Sequence, residues 1–276
     1  MLFEPLKEIS WAYQLHYHLC FRTHRRRPFL EDSLRGSAVS RLLREPCEAN
    51  GFHLLEERHE PRHVQPLVSL RPNQIIANVL KTLKGRSSTS LCRDYELVPR
   101  VWARGYLARS AGRVRIQQVK DYIERQAQHH GYDNRKYSPV FRCRQREHQI
   151  LATAHASFEL SHHLVLATRM RRGGFDRSSG EALVKYWLKV GYKHWFLLDQ
   201  ATVLPDHVHL LIGITPKISI EQAALALMNN GLYLISKHFS ESLIKTRVDQ
   251  LWEPSAYAGT CGELTTGLLQ AFLKKS

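Results

Sequence analysis

The feature that most constrains this chain is that its second half repeats its first. The stretch Tyr13–Thr23 is followed by the basic run His24-Arg25-Arg26-Arg27, and Phe158–Thr168 is followed by Arg169-Met170-Arg171-Arg172. At an offset of 144, Pro61-Arg62-His63-Val64-Gln65-Pro66 lies against Pro205-Asp206-His207-Val208-His209-Leu210. At an offset of 150, Val101-Trp102 through Gly112 to Tyr122 lies against Leu251-Trp252 through Gly262 to Phe272. A repeat of this length makes one domain present twice the governing expectation for the fold.

The expected division is a first domain over residues 1–131, a linker over 132–157 and a second domain over 158–276. The linker is polar and basic, with Arg135, Lys136, Arg142, Arg144 and Arg146, and a short helix is expected from Arg144 to Ala156. Each copy has strand signals near its start and at the histidine stretch. Helical stripes follow, with Ile76, Val79, Leu80 and Leu83 on one and Ile116, Val119 and Ile123 on another. Strands and helices mixed in this way predict an α+β sandwich, with helices on one face of an antiparallel sheet.

Chemistry concentrates first in Val203–Ile214. Successive strand side chains point to opposite faces, so His207 and His209 share one face while Val208, Leu210, Ile212 and Ile214 fill the other. Two imidazoles on one rigid face can hold a divalent ion and leave positions for a third ligand and a substrate oxygen. The spacing alone is weak, because 16 His in 276 residues yield about one such pair by chance. His16-Tyr17-His18 is read as a chance pair; the Pro-Asp turn and the apolar strand set the later pair apart.

Tyr122 and Gln126 are four apart on the expected helix 115–126 and so project from the same side. A tyrosine that attacks a phosphodiester forms a covalent phosphotyrosyl link, which conserves bond energy for rejoining. The same spacing fits a tyrosine that merely borders the apolar stripe beside a solvated glutamine.

The formal charge is +15 with a pI near 9.8, which points to a polyanionic partner and an affinity that falls with salt. A solvated basic surface or a membrane-facing patch is the alternative. No stretch approaches the length of a membrane span and the start lacks signal-peptide character, so a cytoplasmic, nucleoid-associated location is expected. The five Cys form no Cys-x-x-Cys pair, which argues against a disulfide framework or a zinc knuckle.

Taken together, the Pro-x-His-hydrophobic-His strand, Leu83-Lys84-Gly85-Arg86-Ser87-Ser88, Trp102-x-x-Gly105-Tyr106 and the Tyr-x-x-x-Gln helix resemble the single-tyrosine HUH transposases of the IS200/IS605 class. They also resemble the related REP-associated tyrosine transposases. The resemblance covers nearly all of both halves. It implies two ferredoxin-like domains that form a pseudo-dimer, Mg²⁺ or Mn²⁺ as cofactor, and hairpin-bearing single-stranded DNA as partner. It also implies a 5′-phosphotyrosine intermediate, and homodimers in which the His pair of one subunit meets the tyrosine helix of the other. A monomeric pseudo-dimer is the expected state, with a higher oligomer left open.

The departures from that pattern are complementary. In the first half the second histidine is Gln65, followed by Pro66, which cannot donate to a sheet ladder, and Arg62 stands where the other half has Asp206. In the second half Phe272 replaces the tyrosine and Ser276 the glutamine. Packed on their own domains, both tyrosine helices would leave broken sites. Exchanged, they would leave one whole site, with Tyr122 as nucleophile and His207, His209 and Gln126 as metal ligands, and one degenerate site of His63, Gln65 and Phe272. The chain is therefore read as a fused pseudo-dimer with one composite active site. Lys81, Lys84 and Arg86, which lack basic counterparts around Met228–Leu232, and Arg25, Arg26 and Arg27 are the expected DNA contacts. A solvated helix face would account for the first three equally well. Tyr13, Tyr17 and Trp102 are candidates for stacking on unpaired bases. Two other readings stay open: a catalytically silent hairpin binder, and a replication or conjugation initiator, against which the lack of a helicase domain counts.

Overall fold

The computed structural model describes residues 4–95, 100–132, 140–143, 155–241, 250–262 and 266–274. The first repeat runs β1 (Ser10–Gln14), β2 (His16–Arg22), α1 (Ser33–Ala49), β3 (His53–Glu60), β4 (His63–Ser69), α2 (Ile76–Asp94), β5 (Tyr106–Ala111) and α3 (Ile116–His129). After β6 (Phe141–Arg142) the second runs β7 (Ala156–Glu159), β8 (Ser161–Thr168), α4 (Arg177–His194), β9 (Phe196–Val203), β10 (His207–Ile214), α5 (Ile220–His238), β11 (Trp252–Cys261) and α6 (Thr266–Lys274). The fold is α+β, as the patterning predicts, with the repeat visible down to single contacts. Thr23 Oγ1 donates to the Arg62 carbonyl at 3.1 Å, and Thr168 Oγ1 to the Asp206 carbonyl at 3.0 Å.

The two sheets do not coincide with the two halves of the chain. One has the order β3-β4-β2-β5-β7 and the other β1-β11-β8-β10-β9-β6. The first strand of each repeat, expected as one piece, breaks at Leu15 and at Leu160. Its leading piece crosses to the other repeat and pairs in parallel, β1 with β11 and β7 with β5. The sheets are thus antiparallel inside each repeat and parallel where the repeats join, which corrects the purely antiparallel expectation. β6 adds to β9 from inside the expected linker, and the helix expected at 144–156 falls on residues outside those described, apart from His155 and Ala156, of which Ala156 lies in β7.

Helices also lie on both faces, not on one. Val208, Leu210 and Ile212 point into the core shared with Trp187 and Met228 of α4 and α5. Leu211, of the opposite parity, packs with Cys261 against Val119 and Ile123 of α3. Symmetrically, Phe272 of α6 packs on Cys20 and Leu107 of the first sheet. Each repeat thus covers its own sheet with two helices and the other sheet with its last one.

Both exits toward these exchanged helices pass one narrow crossing. Ser110 Oγ donates to the Cys261 carbonyl at 2.5 Å, and Thr260 Oγ1 to the Ala111 carbonyl at 2.7 Å. Gly262 takes φ +140°, which side chains disfavour, and a Cβ built on Gly112 would collide with the Thr260 carbonyl. Gly112→Ala is expected to destabilise the protein by about 2–3 kcal/mol, read as a lowered denaturant midpoint, because backbone must move to admit the methyl group.

Near the same junction the Tyr17 hydroxyl lies 2.8 Å from His162 Nε2, linking β2 to β8. Burial pushes the His162 pKa from 6.5 down to about 3. The depressed value means that stability is fully present above 6.5 and is lost as pH falls toward about 3, because only the unfolded imidazole takes up a proton in that range. Equilibrium unfolding across this window is expected to show the loss, and His162→Gln to flatten it.

Candidate active site

The turn Pro205-Asp206 delivers His207 as the first residue of β10, where it pairs with Ala167 of β8. His207 and His209 are buried on the face that α3 covers, and their rings are 4.9 Å apart between centroids. Tyr122 of α3 lies edge-on to His209 with centroids 5.5 Å apart, and is 5.7 Å from His163 on β8. Tyr122 nevertheless stays 48% exposed, so a large ligand can reach it. Gln126, one turn further along α3, is buried, and its amide nitrogen donates to the Tyr122 carbonyl at 3.3 Å. Tyr122, from the first half of the chain, therefore meets the His207–His209 pair of the second, with Gln126 buried one turn along the same helix.

Hydrogen bonds fix both imidazoles. Asp206 Oδ1 lies 2.6 Å from His207 Nδ1, and Arg171 donates to Oδ2 at 2.9 Å. The carboxylate sets the tautomer with the proton on Nδ1 and leaves the Nε2 lone pair available. Burial would raise the Asp206 pKa, but the hydrogen bond and charge of His207 and the charge of Arg171 bring it below the usual value. His209 Nδ1 is 3.1 Å from His163 Nε2, while its own Nε2 is buried without a hydrogen-bond partner among the described residues. Burial, reinforced by His163 and His207, pushes the His209 pKa down to about 2, and burial alone pushes His163 to about 4. Burial also lowers His207. All three imidazoles are thus held neutral, the form that ligates a metal.

An orphaned, buried Nε2 on His209 beside a lone pair on His207 fits a divalent cation. Among the described residues no group of three or more His, Cys, Asp or Glu is arranged to hold a metal ion. A third protein ligand from the described residues would therefore have to be of another type, and Gln126, buried one turn from Tyr122 on α3, is the residue that the sequence reading names for it.

The counterpart in the first half is closed on itself. His63 Nε2 accepts from the Gln65 amide at 2.9 Å, and Gln65 Oε1 is 3.1 Å from His18 Nε2. Phe272, which the repeat aligns with Tyr122, packs on Cys20 and Leu107 with the Arg22 guanidinium 4.8 Å from its ring centroid. Ser276 lies outside the described residues.

The expected DNA contacts divide. Arg25, Arg26 and Arg27 are exposed on the turn after β2, and Lys81 and Arg86 line a groove of about 760 Å³ between α1 and α2. Lys84 does not fit the expectation. Its Nζ donates to the carbonyls of Ala103, Arg104 and Gly105 at 2.6, 3.1 and 3.3 Å, and burial lowers its pKa to about 8. It ties α2 to the loop before β5 and offers little to a phosphate. Tyr17 and Trp102 are likewise buried in the core, and of the three stacking candidates Tyr13 alone is exposed.

Sequence reasoning missed His163, Arg171 and the aromatic cover formed by His130 and Tyr132. His130 lies 5.1 Å from His207 and stacks on Tyr132, whose hydroxyl reaches Asp206 at 3.4 Å. The alternation of β8 was the available signal for His163, since it places that residue on the face of His209 once the strands are paired. No linear spacing announces the others.

The comparisons agree with the doubled architecture. The family model described as transposase IS200 like matches residues 11–126 and again 156–276. The transposase for insertion sequence element IS200 of Salmonella typhimurium is 28% identical over 122 residues, which are 44% of this chain and 79% of the relative. The ISDra2 transposase TnpA of Deinococcus radiodurans is 27% identical over 129 residues, 45% of this chain and 91% of that protein. A solved REP-associated tyrosine transposase bound to a REP hairpin is similar at 11% identity and a TM-score of 0.30, covering 48% of this chain and 73% of that one. Both sequence relatives correspond to about one of the two repeats. With two consecutive matches that together span most of its length, the chain belongs to the IS200-like transposase family.

Proposed function

We propose that this transposase is a metal-dependent, single-strand-specific DNA nickase and strand transferase with one composite active site. The observation that carries the reading is the meeting of Tyr122, from the first repeat, with His207 and His209, from the second, at ring distances of 5.5 Å between Tyr122 and His209 and 4.9 Å between the two histidines. The Tyr122 oxygen attacks the scissile phosphorus and loses its proton. An O–P bond forms to the 5′ side, the bond to the 3′ oxygen breaks, and that oxygen leaves as a hydroxyl that can later reverse the step.

His207, His209 and Gln126 would hold the divalent ion, Mg²⁺ or Mn²⁺, whose contribution is to polarise the phosphate and offset developing charge. Asp206 keeps His207 in its tautomer, and Arg171 holds Asp206 anionic. His163 orients His209 through its Nδ1. α3, packed on β9 and β10, keeps water from the inner side of the pocket while Tyr122 remains reachable.

The proposed substrate is single-stranded DNA beside a hairpin. Support comes from the family and from the charge of +15. The test is incubation of labelled single-stranded DNA carrying the element's hairpin ends with Mg²⁺ or Mn²⁺, followed by a denaturing gel. A covalent protein–DNA adduct is expected. Tight hairpin binding with no adduct under either metal would instead favour a catalytically silent binder, a reading to which the closed His63–Gln65–His18 set lends some support.

A further inference from the structure

Tyr257 stands beside the composite site and has no aromatic counterpart in the first repeat. It lies in β11, paired with Val165 of β8 on one side and with Ala12 of β1, the edge strand of this sheet, on the other. Its ring is edge-on to His163 with centroids 5.8 Å apart, and Tyr122 meets the same imidazole at 5.7 Å. In the sheet β8 lies between β11 and β10, and α3 packs on β10 and its neighbour β9. One histidine is therefore flanked by two phenols, Tyr122 from the helix and Tyr257 from the strand on the far side.

A glycine makes room for the ring. A Cβ built on Gly259 would meet the Tyr257 hydroxyl oxygen at 2.7 Å, so the phenol lies over that backbone and reaches toward His163, the residue Gly259 pairs with across the sheet. Its neighbours on the same face of β1 and β11, Ser10, Ala12 and Ser255, are short, and Tyr257 is 41% exposed. Burial, with smaller contributions from Cys261 and Tyr122, holds its pKa above the ordinary phenol value, so the hydroxyl is neutral and does not repel a phosphate. At the aligned position the first repeat has Leu107, buried against Phe272 of α6. There helix and strand close on each other, whereas Tyr122 and Tyr257 both stay half-exposed.

We infer that Tyr257 is the base-stacking residue of the composite site: an unpaired base next to the scissile phosphate lies on its ring, beside His163, while Tyr122 faces the phosphate. An aromatic ring on a strand is a fixed platform, and every base has a π-face to lay on it, so the contact adds affinity without fixing the sequence. A base held inside a duplex is covered by its own neighbours and cannot use the ring, which gives the site a preference for single strands. The half-exposed pair then has a physical reason, since the space that Phe272 and Leu107 close in the first repeat is the space a nucleotide takes in the second. The inference rests on the reading of this chain as a single-strand DNA enzyme and names a residue that selects its substrate.

The test titrates the full chain carrying Tyr122→Phe, so that nothing is cut, with labelled single-stranded DNA made abasic at one position at a time along the strand beside the hairpin. One abasic position is expected to weaken binding about tenfold, and to lie next to the cut that the adduct assay maps on the unaltered chain. Adding Tyr257→Leu, which installs the residue of the first repeat, should cause the same loss on intact DNA and no further loss on DNA abasic at that position. Tyr257→Phe should keep the affinity. Gly259→Ala, which pushes the ring aside without removing it, should weaken binding to intact DNA and spare the abasic strand. Losses that add, Tyr257→Leu and Gly259→Ala proteins that bind intact DNA as tightly as the parent, or a sensitive position remote from the cut would each overturn the inference. An adduct that forms with no sensitive base defeats this inference alone, whereas no adduct and no binding of single strands defeat both readings.

Discussion

Replacing Tyr122 by Phe is expected to remove the covalent protein–DNA adduct altogether, a loss of at least about 10⁴-fold, while binding of the same DNA persists. The change deletes one oxygen from a half-exposed side chain, so stability should move by less than about 0.5 kcal/mol and the loss can be read as chemistry. Phe272 already shows that the ring alone is accommodated at the corresponding place in the other repeat. The same variant tests whether the site forms within one chain. Mixed with a chain carrying His207→Ala and His209→Ala, it should give no adduct, because α3 packs on the second sheet of its own polypeptide. Restored adduct in the mixture would mean that the catalytic pairing runs between chains.

The second large effect concerns the histidines. His209→Ala is expected to lower adduct formation by about a hundredfold or more and to abolish Mn²⁺ binding measured by electron paramagnetic resonance. The control is His63→Ala, which should leave both close to the unaltered protein. The physical reason is local: His209 presents a buried nitrogen without a hydrogen-bond partner among the described residues, whereas in the first half Gln65 stands at the corresponding position and its amide engages His63 Nε2. Leaving a buried acceptor unsatisfied costs about 1–3 kcal/mol, so removing it can raise stability. A His209→Ala protein that is no less stable than the parent but inactive would show that function holds this nitrogen in place. Equal loss in the His63 variant would defeat the assignment of roles to the two pockets.

Much of this is legible in the chain itself. The offset repeat, the alternation around His207 and His209, and the stripes of α2 and α3 require only local periodicity, and the described elements begin and end within a few residues of where those patterns do. Lys84 departs from expectation because a charged residue in a helical pattern looks solvated until the loop whose carbonyls it binds is folded against it. Tyr17 and Trp102 depart from it because an aromatic residue in an extended segment gives no sign of which face the rest of the fold will cover. Arg171 could not be singled out at all, and His163 only once β8 is paired with β10, since each acquires its role from a partner on a different strand or turn.

The sequence by itself determined that one domain occurs twice, that the first copy lacks its second histidine, and that the second lacks its tyrosine. Those are facts of residue identity and spacing. Only the tertiary structure decided which helix lies over which sheet. In each repeat the leading strand breaks and crosses, the last helix follows through a passage that admits glycine at Gly112 and Gly262, and α3 comes to rest on Leu211 and Cys261. The stripe of Val119 and Ile123 would bury equally well against either sheet as far as its own periodicity can tell. The choice between them is a matter of packing between residues about ninety to one hundred and forty positions apart, which no local pattern encodes.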